Sequence, residues 1–499
     1  MHPDLELRPA WTLLAVSLAV SVVLLGTTIL NVALPELRVA LPASNTQQQW
    51  ILNSYTLTFA GFLLLAGAIG DRFGLRRTLV VGLSGFTATT LASAFASNAT
   101  MLIALRGITG VFAAAIMPIS LAVVVRTFPK DKVPGAIAVW AAVSGLAIAL
   151  GPLIGGALLT AGYWWGSVLL VVALLGLSAL VLTVLVVRTP VTAGDSRIRL
   201  IPVVGSVSGI GLLVWGVLHG GQSNQWTSAG TLVPMAAGVG LLAALVFSEG
   251  RHKDPLADVR LFLNRRFSVA VAALSLGTFT VYGFLYFSTF YLQVARGYSP
   301  LRTGLLLLPL SVGLIVGGLA SRRIAAKLGT PTTMTIGMAL TAGSLAFFAL
   351  LAVSAPIGWF TLIVFVLAFG FALVLSPGTT MAMTSVPPGR DGAGSALINT
   401  LRQLASALGV SILGSILWSK YRSNVAPGLA GMSPTERESA SSSLAASIAS
   451  ADGNSAIIDA AQSGFESALH VTTWVAAAIV LVAALLLPII TYKNRSVAS

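Results

Sequence analysis

Two arginines, Arg106 and Arg402, stand inside long apolar stretches of this chain. A guanidinium in such a stretch is costly unless it faces a cavity, snorkels to an interface or pairs. Arg106 lies about five residues into the run 100–125, or about 8 Å at 1.5 Å per residue. That position suits a group that meets a substrate or a proton pathway. Arg402 has Asn399 and Gln403 beside it. The i, i+4 spacing puts Asn399 and Gln403 on one helix face. They can line a cavity, or they can bond one helix to another. Tyr282, Tyr286 and Gln293, at i, i+4 and i+11, fall close to one face. They suit a wall for an amphipathic aromatic molecule, and tyrosines at a lipid interface follow the same pattern. A fourth cluster is Gly70-Asp71-Arg72-Phe73-Gly74-Leu75-Arg76-Arg77, where Asp71 is one acid among three arginines. Paired with an arginine and a helix dipole, Asp71 would latch one arrangement of its helices. Plain anchoring of a basic loop fits as well.

What is missing narrows the chemistry. The chain has no cysteine and four scattered histidines, so thiolate sites, disulfides and a zinc site are not expected. No nucleophile constellation and no phosphate-cradling GxxxxGK[ST] occurs. An enzyme, a metal or other cofactor and direct use of ATP are therefore not expected. None of the fifteen acids falls near the middle of an apolar run.

The elements that carry these residues are membrane helices. Only 9% of the 499 residues are charged and mean hydropathy is +0.91, against about 25% charged residues in soluble domains. A helix needs about 20 mostly apolar residues to cross a bilayer, and fourteen such windows can be read, from 11–34 to 470–490. The first is long, follows Asp4 and Glu6, and is not a cleavable signal. Of the 29 lysines and arginines, 21 fall in the tails and in the loops after even-numbered windows, and 6 in the other loops. That bias puts both termini in the cytoplasm. It also accounts for most of the +14 net charge, so no nucleic-acid partner is expected. The long segment 419–469, rich in Ser and Ala, falls outside as a lid or spacer. Ser433, Pro434 and Glu436 within it read as a helix start.

The chain repeats itself. A shift of 259 residues aligns Phe112 with Phe371, Pro118 with Pro377 and Gly155 with Gly414; a shift of 255 aligns Gly74 with Gly329, Gly82 with Gly337 and Arg72 with Lys327. Two homologous six-helix bundles with a site between them suggest a transporter. The expected division is 1–190 for the first bundle, 191–266 for two inserted helices and a linker, and 267–499 for the second bundle. In the fifth window, Ala147, Gly151 and Gly155 at i, i+4 and i+8 make one smooth face for close helix packing. Pro152 removes a backbone bond and can kink the helix. Val410 and Ser411 stand at the repeat positions of Gly151 and Pro152, so the motif is not a requirement of both halves.

These motifs together resemble the major facilitator superfamily. Gly67, Asp71, Arg72, Gly74, Arg76 and Arg77 match its helix 2–3 signature, with Leu75 added. Arg106 to Gly110 looks like its helix 4 pattern, and Gly151-Pro152-Leu153-Ile154-Gly155-Gly156 like its helix 5 antiporter signature. Asn31 to Pro35, and Leu261-Phe262 with Arg265 to Phe267, resemble the fourteen-helix drug/proton antiporter branch. The resemblance implies an all-α integral membrane protein of the cytoplasmic membrane, with two six-helix bundles plus two inserted helices. It implies export of small amphipathic compounds by alternating access, with protons as the coupled partner. It would make Asp71 with Arg72, Arg76 and Arg77 the cytoplasmic latch. It would make Gly151, Pro152, Gly155 and Gly156 the packing hinge. Asn31, Arg106, Tyr282, Tyr286, Asn399, Arg402 and Gln403 would line the pathway.

One departure matters. The branch commonly carries an aspartate five residues before the asparagine that matches Asn31, and here that position is Gly26. Proton coupling then falls to a peripheral group such as Glu36, Asp71 or His219. With buried arginines and no central acid, the expected substrate is neutral or anionic rather than cationic. Two other readings remain open. One is a dedicated exporter of one metabolite or lipid-like molecule, and the other a non-transporting membrane sensor of the same fold.

Overall fold

The computed structural model describes residues 3–129, 132–188, 201–223, 225–252, 255, 258–387, 391–429, 433, 436–437, 440–451 and 454–492. No strand occurs among them. Six helices come first: α1 (Pro3–Ala40), α2 (Asn45–Phe73), α3 (Leu75–Ala94), α4 (Ala99–Thr127), α5 (Val133–Thr160) and α6 (Ser167–Val186). A pair follows, α7 (Ile201–Ser223) and α8 (Ala229–Arg251). The last six are α9 (Arg265–Phe290), α10 (Pro300–Leu328), α11 (Thr330–Phe348), α12 (Ile357–Met383), α13 (Asp391–Val425) and α14 (Ser455–Tyr492). Each of the fourteen apolar windows falls on one of these helices. Ten of the helices, within the described residues, are long and apolar enough to cross a membrane. Large apolar side chains such as Leu185, Phe247, Leu319 and Leu485 point outward, which suits lipid rather than water.

The helices pack within two groups. In the first, α2 and α3 lie on α4, α1 lies on α5 and α6, and α3 on α6. In the second, α10, α11 and α9 lie on α12, α9 lies on α13, and α14 on α11 and α13. The groups meet along two seams, α5 against α10 and α2 against α13. α7 leans on the second seam, touching both α2 and α13, and α8 packs on α7. The expected joint at residue 190 lies outside the described residues.

The repeat is visible in local geometry. Gly74 alone separates α2 from α3, with φ 91°, and Gly329 alone separates α10 from α11, with φ 84°. Only glycine adopts this backbone without strain. Both close the turn in one way: Gly74 N donates to Gly70 O at 3.0 Å and Gly329 N to Ala325 O at 2.9 Å. Thr78 and Thr333 then cap back onto Gly74 O and Gly329 O, at 3.0 and 2.9 Å. Gly82 brings α3 against Ala115 and Ile116 of α4, and Gly337 brings α11 against Leu373 and Val374 of α12.

Helices run past their apolar windows. α13 continues through Lys420, Arg422 and Asn424 to Val425, and α14 starts at Ser455. The expected loop 419–469 is therefore shorter, because hydropathy marks the thickness of hydrocarbon and not the end of helical hydrogen bonding. Between them, Ser433 and Glu436 form the reciprocal bonds of a capping box, at 3.0 and 3.4 Å. Those bonds hold the exposed Glu436 carboxyl below its ordinary pKa. Pro434 lies outside the described residues. A short helix, Leu444–Ala449, lies over the ends of the bundle and closes this segment. This end of the molecule, which also holds the α1–α2 turn, is called the loop end below.

Candidate functional site

Arg106 is almost wholly buried in the first group of helices, with 1% of its surface exposed. It pairs with backbone rather than with an acid. Its Nη2 donates to Gly26 O of α1 at 2.9 Å and its Nε to Ile51 O of α2 at 3.4 Å. Its guanidinium stands 4.2 Å from the centre of the Tyr55 ring, and Tyr55 in turn donates to Val23 O at 3.1 Å. One side chain of α4 thus ties α1 and α2 together. The carbonyl dipoles and the ring face supply the negative field that a carboxylate would otherwise give.

The residues on either side of these attachment points reach the other group. Thr27, next to Gly26, lies close to Tyr282 of α9, and Arg402 of α13 lies close to the same tyrosine. Arg402 Nε is buried with no hydrogen-bond partner. Asn53, two residues after Ile51, donates to Ser411 Oγ of α13 at 2.7 Å. Tyr286 is fully buried; its hydroxyl accepts from Trp418 Nε1 at 3.0 Å, and Gln49 of α2 lies close to it. Gln293, in the π-helical turn Tyr291–Ala295 that ends α9, donates to Val32 O of α1 at 2.9 Å.

The structure therefore brings Tyr282 and Arg402 together and sets Tyr286 nearer the loop end. Asn31 bonds Thr28 O at 3.1 Å and lines a space of about 10 Å³ with Pro152 and Ser311. That volume admits no more than about one water, so Asn31 borders the seam and not a solute-sized space. Gln403 lies on α13 with Ser406 against it, and Asn399 is half-buried one turn earlier. Among the described side chains no carboxylate enters this interior, and no group of His, Asp or Glu could hold a metal.

Sequence reasoning missed the α2 partners. Asn45, Gln49 and Asn53 are spaced i, i+4, i+8, which is one helix face. That polar stripe, which runs from the start of α2 into its apolar window, was the available signal. The stripe faces the α13 side of the molecule and continues to Ala60, whose carbonyl accepts from Thr400 at 3.2 Å.

The helix 5 motif serves two neighbours. Ala147 packs with Val20 and Leu24 of α1. A Cβ on Gly151 or Gly155 would stand 3.1 Å from Ile29 N or 3.2 Å from Ile29 O of the same helix. Gly156 faces the other way. Its Cβ would meet backbone of α10, 2.7 Å from Pro300 C and 2.9 Å from Leu301 Cα. Gly304 of α10 reciprocates against Pro152, at 2.9 Å from its carbonyl carbon. Leu301 N also donates to Thr160 Oγ1 at 2.8 Å. The two groups are thus in backbone contact at the loop end of the α5–α10 seam.

Of the helix 2–3 signature, Arg72, Arg76 and Arg77 are exposed. Arg76 Nη2 reaches Val184 O of α6 at 2.9 Å, which ties the α2–α3 turn to the end of α6. The side chains of Gly67 and Asp71 lie outside the described residues, and with them the expected latch.

Comparison with known proteins agrees with this architecture. Residues 16–410 match the Major Facilitator Superfamily. The chain is 34% identical to the tetracenomycin C resistance and export protein of Streptomyces glaucescens, over 83% of this chain and 77% of that one. It is 33% identical to the multidrug efflux pump LfrA of Mycolicibacterium smegmatis, over 95% of each. Among solved structures, a bacterial homolog of the human lysosomal transporter Spinster, inward-facing and occupied, superposes with a TM-score of 0.67. It shares 15% identity over 98% of both chains, so that likeness speaks for the fold alone. A match over most of the chain, with relatives above 30% identity along the same span, leaves one assignment: this chain belongs to the Major Facilitator Superfamily.

Proposed function

We propose that the chain is a secondary active exporter of small amphipathic compounds in the cytoplasmic membrane. It works by alternating access and is driven by the proton gradient. All fourteen helices cross the bilayer, α1–α6 and α9–α14 form the two moving bundles, and both termini face the cytoplasm. The loop end is then the outer end. One observation carries this reading: most hydrogen bonds and backbone contacts between the bundles gather toward the loop end, with Thr400–Ala60 nearer mid-span. Asn53–Ser411, Gln293–Val32, Gly156–Pro300 and Thr160–Leu301 all lie there. Such a seam is what alternating access must break and remake. Relatives named for export and multidrug efflux support the same direction.

In this reading Asp71 with Arg72, Arg76 and Arg77 latches the inner end, and Gly67 and Gly74 allow the tight turn. Gly151, Pro152, Gly155 and Gly156 are the hinge. Arg402 and Tyr282, with Asn399 and Gln403, face the substrate, and Tyr286 and Asn31 border the route outward. Arg106 positions α1 and α2. Protons are carried by a peripheral group, with Asp71, Glu36 and His219 as the candidates.

Among the described residues the interior holds a guanidinium and hydroxyls without an acid, so a cation gains nothing there and loses its hydration. Neutral and anionic amphiphiles are the expected substrates. Expressed in a host lacking its own efflux pumps, the chain should raise tolerance to them several-fold more than to size-matched monovalent cations. Strong protection against the monovalent cations alone would contradict the charge preference. A dedicated exporter of one metabolite is favoured by the relative named for a single compound; protection confined to one member of a broad panel would select it.

A further inference from the structure

We propose that the space beneath the outer loop is a binding site for a planar aromatic anion, formed only while the loop end is shut. It is a separate site from the one around Arg402. A cavity of about 260 Å³ lies under the short helix Leu444–Ala449, between Arg38 of α1, Phe290 and Val294 of the α9 end, Trp418 of α13 and Phe465 of α14. Its wall is aromatic. The Phe290 and Trp418 rings meet edge-on, 5.2 Å apart at 87°, and Trp418 and Phe465 lie 6.3 Å apart. The Trp418 N–H is already given to Tyr286, so the indole offers ring surface and not a donor.

The cavity's cation is Arg38. Its Nη1 donates to Asn45 Oδ1 and its Nη2 to Ser442 Oγ, both at 2.8 Å. Both partners are neutral, and no ion pair to Arg38 occurs among the described residues. The guanidinium has five N–H donors, so it can bond an anion and keep these two. Ring walls together with an arginine held by neutral partners recognise an aromatic carboxylate or sulfonate. The volume is near the small end of ligand pockets and suits about two fused rings.

The walls come from both halves. Arg38 belongs to the first and the aromatic residues to the second. The roof is tied to both: Ser442 takes the Arg38 bond, and Tyr421 of α13 shares a 2.6 Å bond with Ser447. Separation of the halves at this end would take the site apart. A ligand that binds one state only must favour that state.

Binding can be measured on the purified full chain at equilibrium, so its outcome is independent of whether and in which direction the chain transports. The probes are 2-naphthoate, 2-naphthalenemethanol and 2-naphthylmethylammonium, titrated by calorimetry. Naphthoate should bind most tightly. Arg38→Gln should weaken it about tenfold, the worth of one charge-assisted bond, and leave the alcohol unchanged. Ala446→Phe, which fills the cavity from the roof, should remove both, with unchanged thermal unfolding as the check on folding. With Thr160→Cys as the sole thiol, saturating naphthoate should slow labelling by a water-soluble thiol reagent. Naphthoate binding that is absent, indifferent to Arg38→Gln, or matched by the ammonium would overturn the site. Unchanged labelling would overturn its link to closure.

Discussion

Arg106→Ala is expected to abolish export while the protein still reaches the membrane. The guanidinium holds Gly26 of α1 and Ile51 of α2 in fixed relation. Thr27 and Asn53, one and two residues further on, make contacts across the seams. Losing the tie frees both seams from each other. Folding should suffer less than function. Gly26 O and Ile51 O lie within helices, so the substitution does not strand them. Removal of the charge also recovers a desolvation penalty of several kcal/mol. That roughly offsets charge-assisted hydrogen bonds of about 1.5–3 kcal/mol and a ring contact of about 2 kcal/mol. Arg106→Met, which fills the volume without charge, should behave like alanine and lose at least nine-tenths of the initial export rate. Arg106→Lys, a point charge that reaches one carbonyl, should keep a fraction. Surface labelling of intact cells with efflux measured in parallel checks all three. Normal efflux by the methionine variant would remove Arg106 from any central role.

Gly156→Val should have a comparable effect by a different route. Its added Cβ would lie 2.7 Å from Pro300 C and 2.9 Å from Leu301 Cα. These are backbone atoms, so no rotamer change relieves the clash, and α5 and α10 must separate by about 1 Å. Overpacking of this kind costs about 1–3 kcal/mol. That is too little to unfold a chain of this size, and enough to shift a two-state seam by tenfold or more. Export should fall at least tenfold. The chain has no cysteine, so Leu301→Cys supplies a single thiol at the seam, and it should label faster from outside when Gly156→Val is added. Gly343→Ala, where a Cβ meets nothing within 4 Å, is the control that should leave both rates unchanged. Wild-type export with unaltered labelling in Gly156→Val would mean that this contact is not part of the moving seam.

Much of this arrangement is legible in the sequence, and what is not follows a physical pattern. The apolar runs give the helices, because burial in hydrocarbon dictates composition along the whole span. Gly74 and Gly329 mark equivalent turns, because a single-residue turn between two helices needs positive φ. Arg106 announces itself as a group that must be compensated, but its spacing cannot say by what. The compensation is backbone carbonyl from two helices 50 and more residues away, and a carbonyl has no letter in the sequence. The smooth face of α5 reads correctly as a packing stripe for Ala147, Gly151 and Gly155. That Gly156 turns to the other half is decided by the position of α10, which local spacing does not hold. The stripe Asn45, Gln49, Asn53 is visible once α13 is known to lie beside it. The loop-end contacts of Arg38 join residues about 400 apart in the chain, and the π-helical turn after Phe290 follows from no residue pattern.

Coupled export can be read as flux in a purified system. The full chain would be reconstituted in liposomes with an acid lumen and given a fluorescent amphiphile, neutral or anionic, from outside. Accumulation above that of protein-free liposomes is expected. Accumulation should collapse on adding a protonophore and be absent with Arg106→Ala. No gradient-dependent flux for any member of a charge-sorted panel would contradict coupled export.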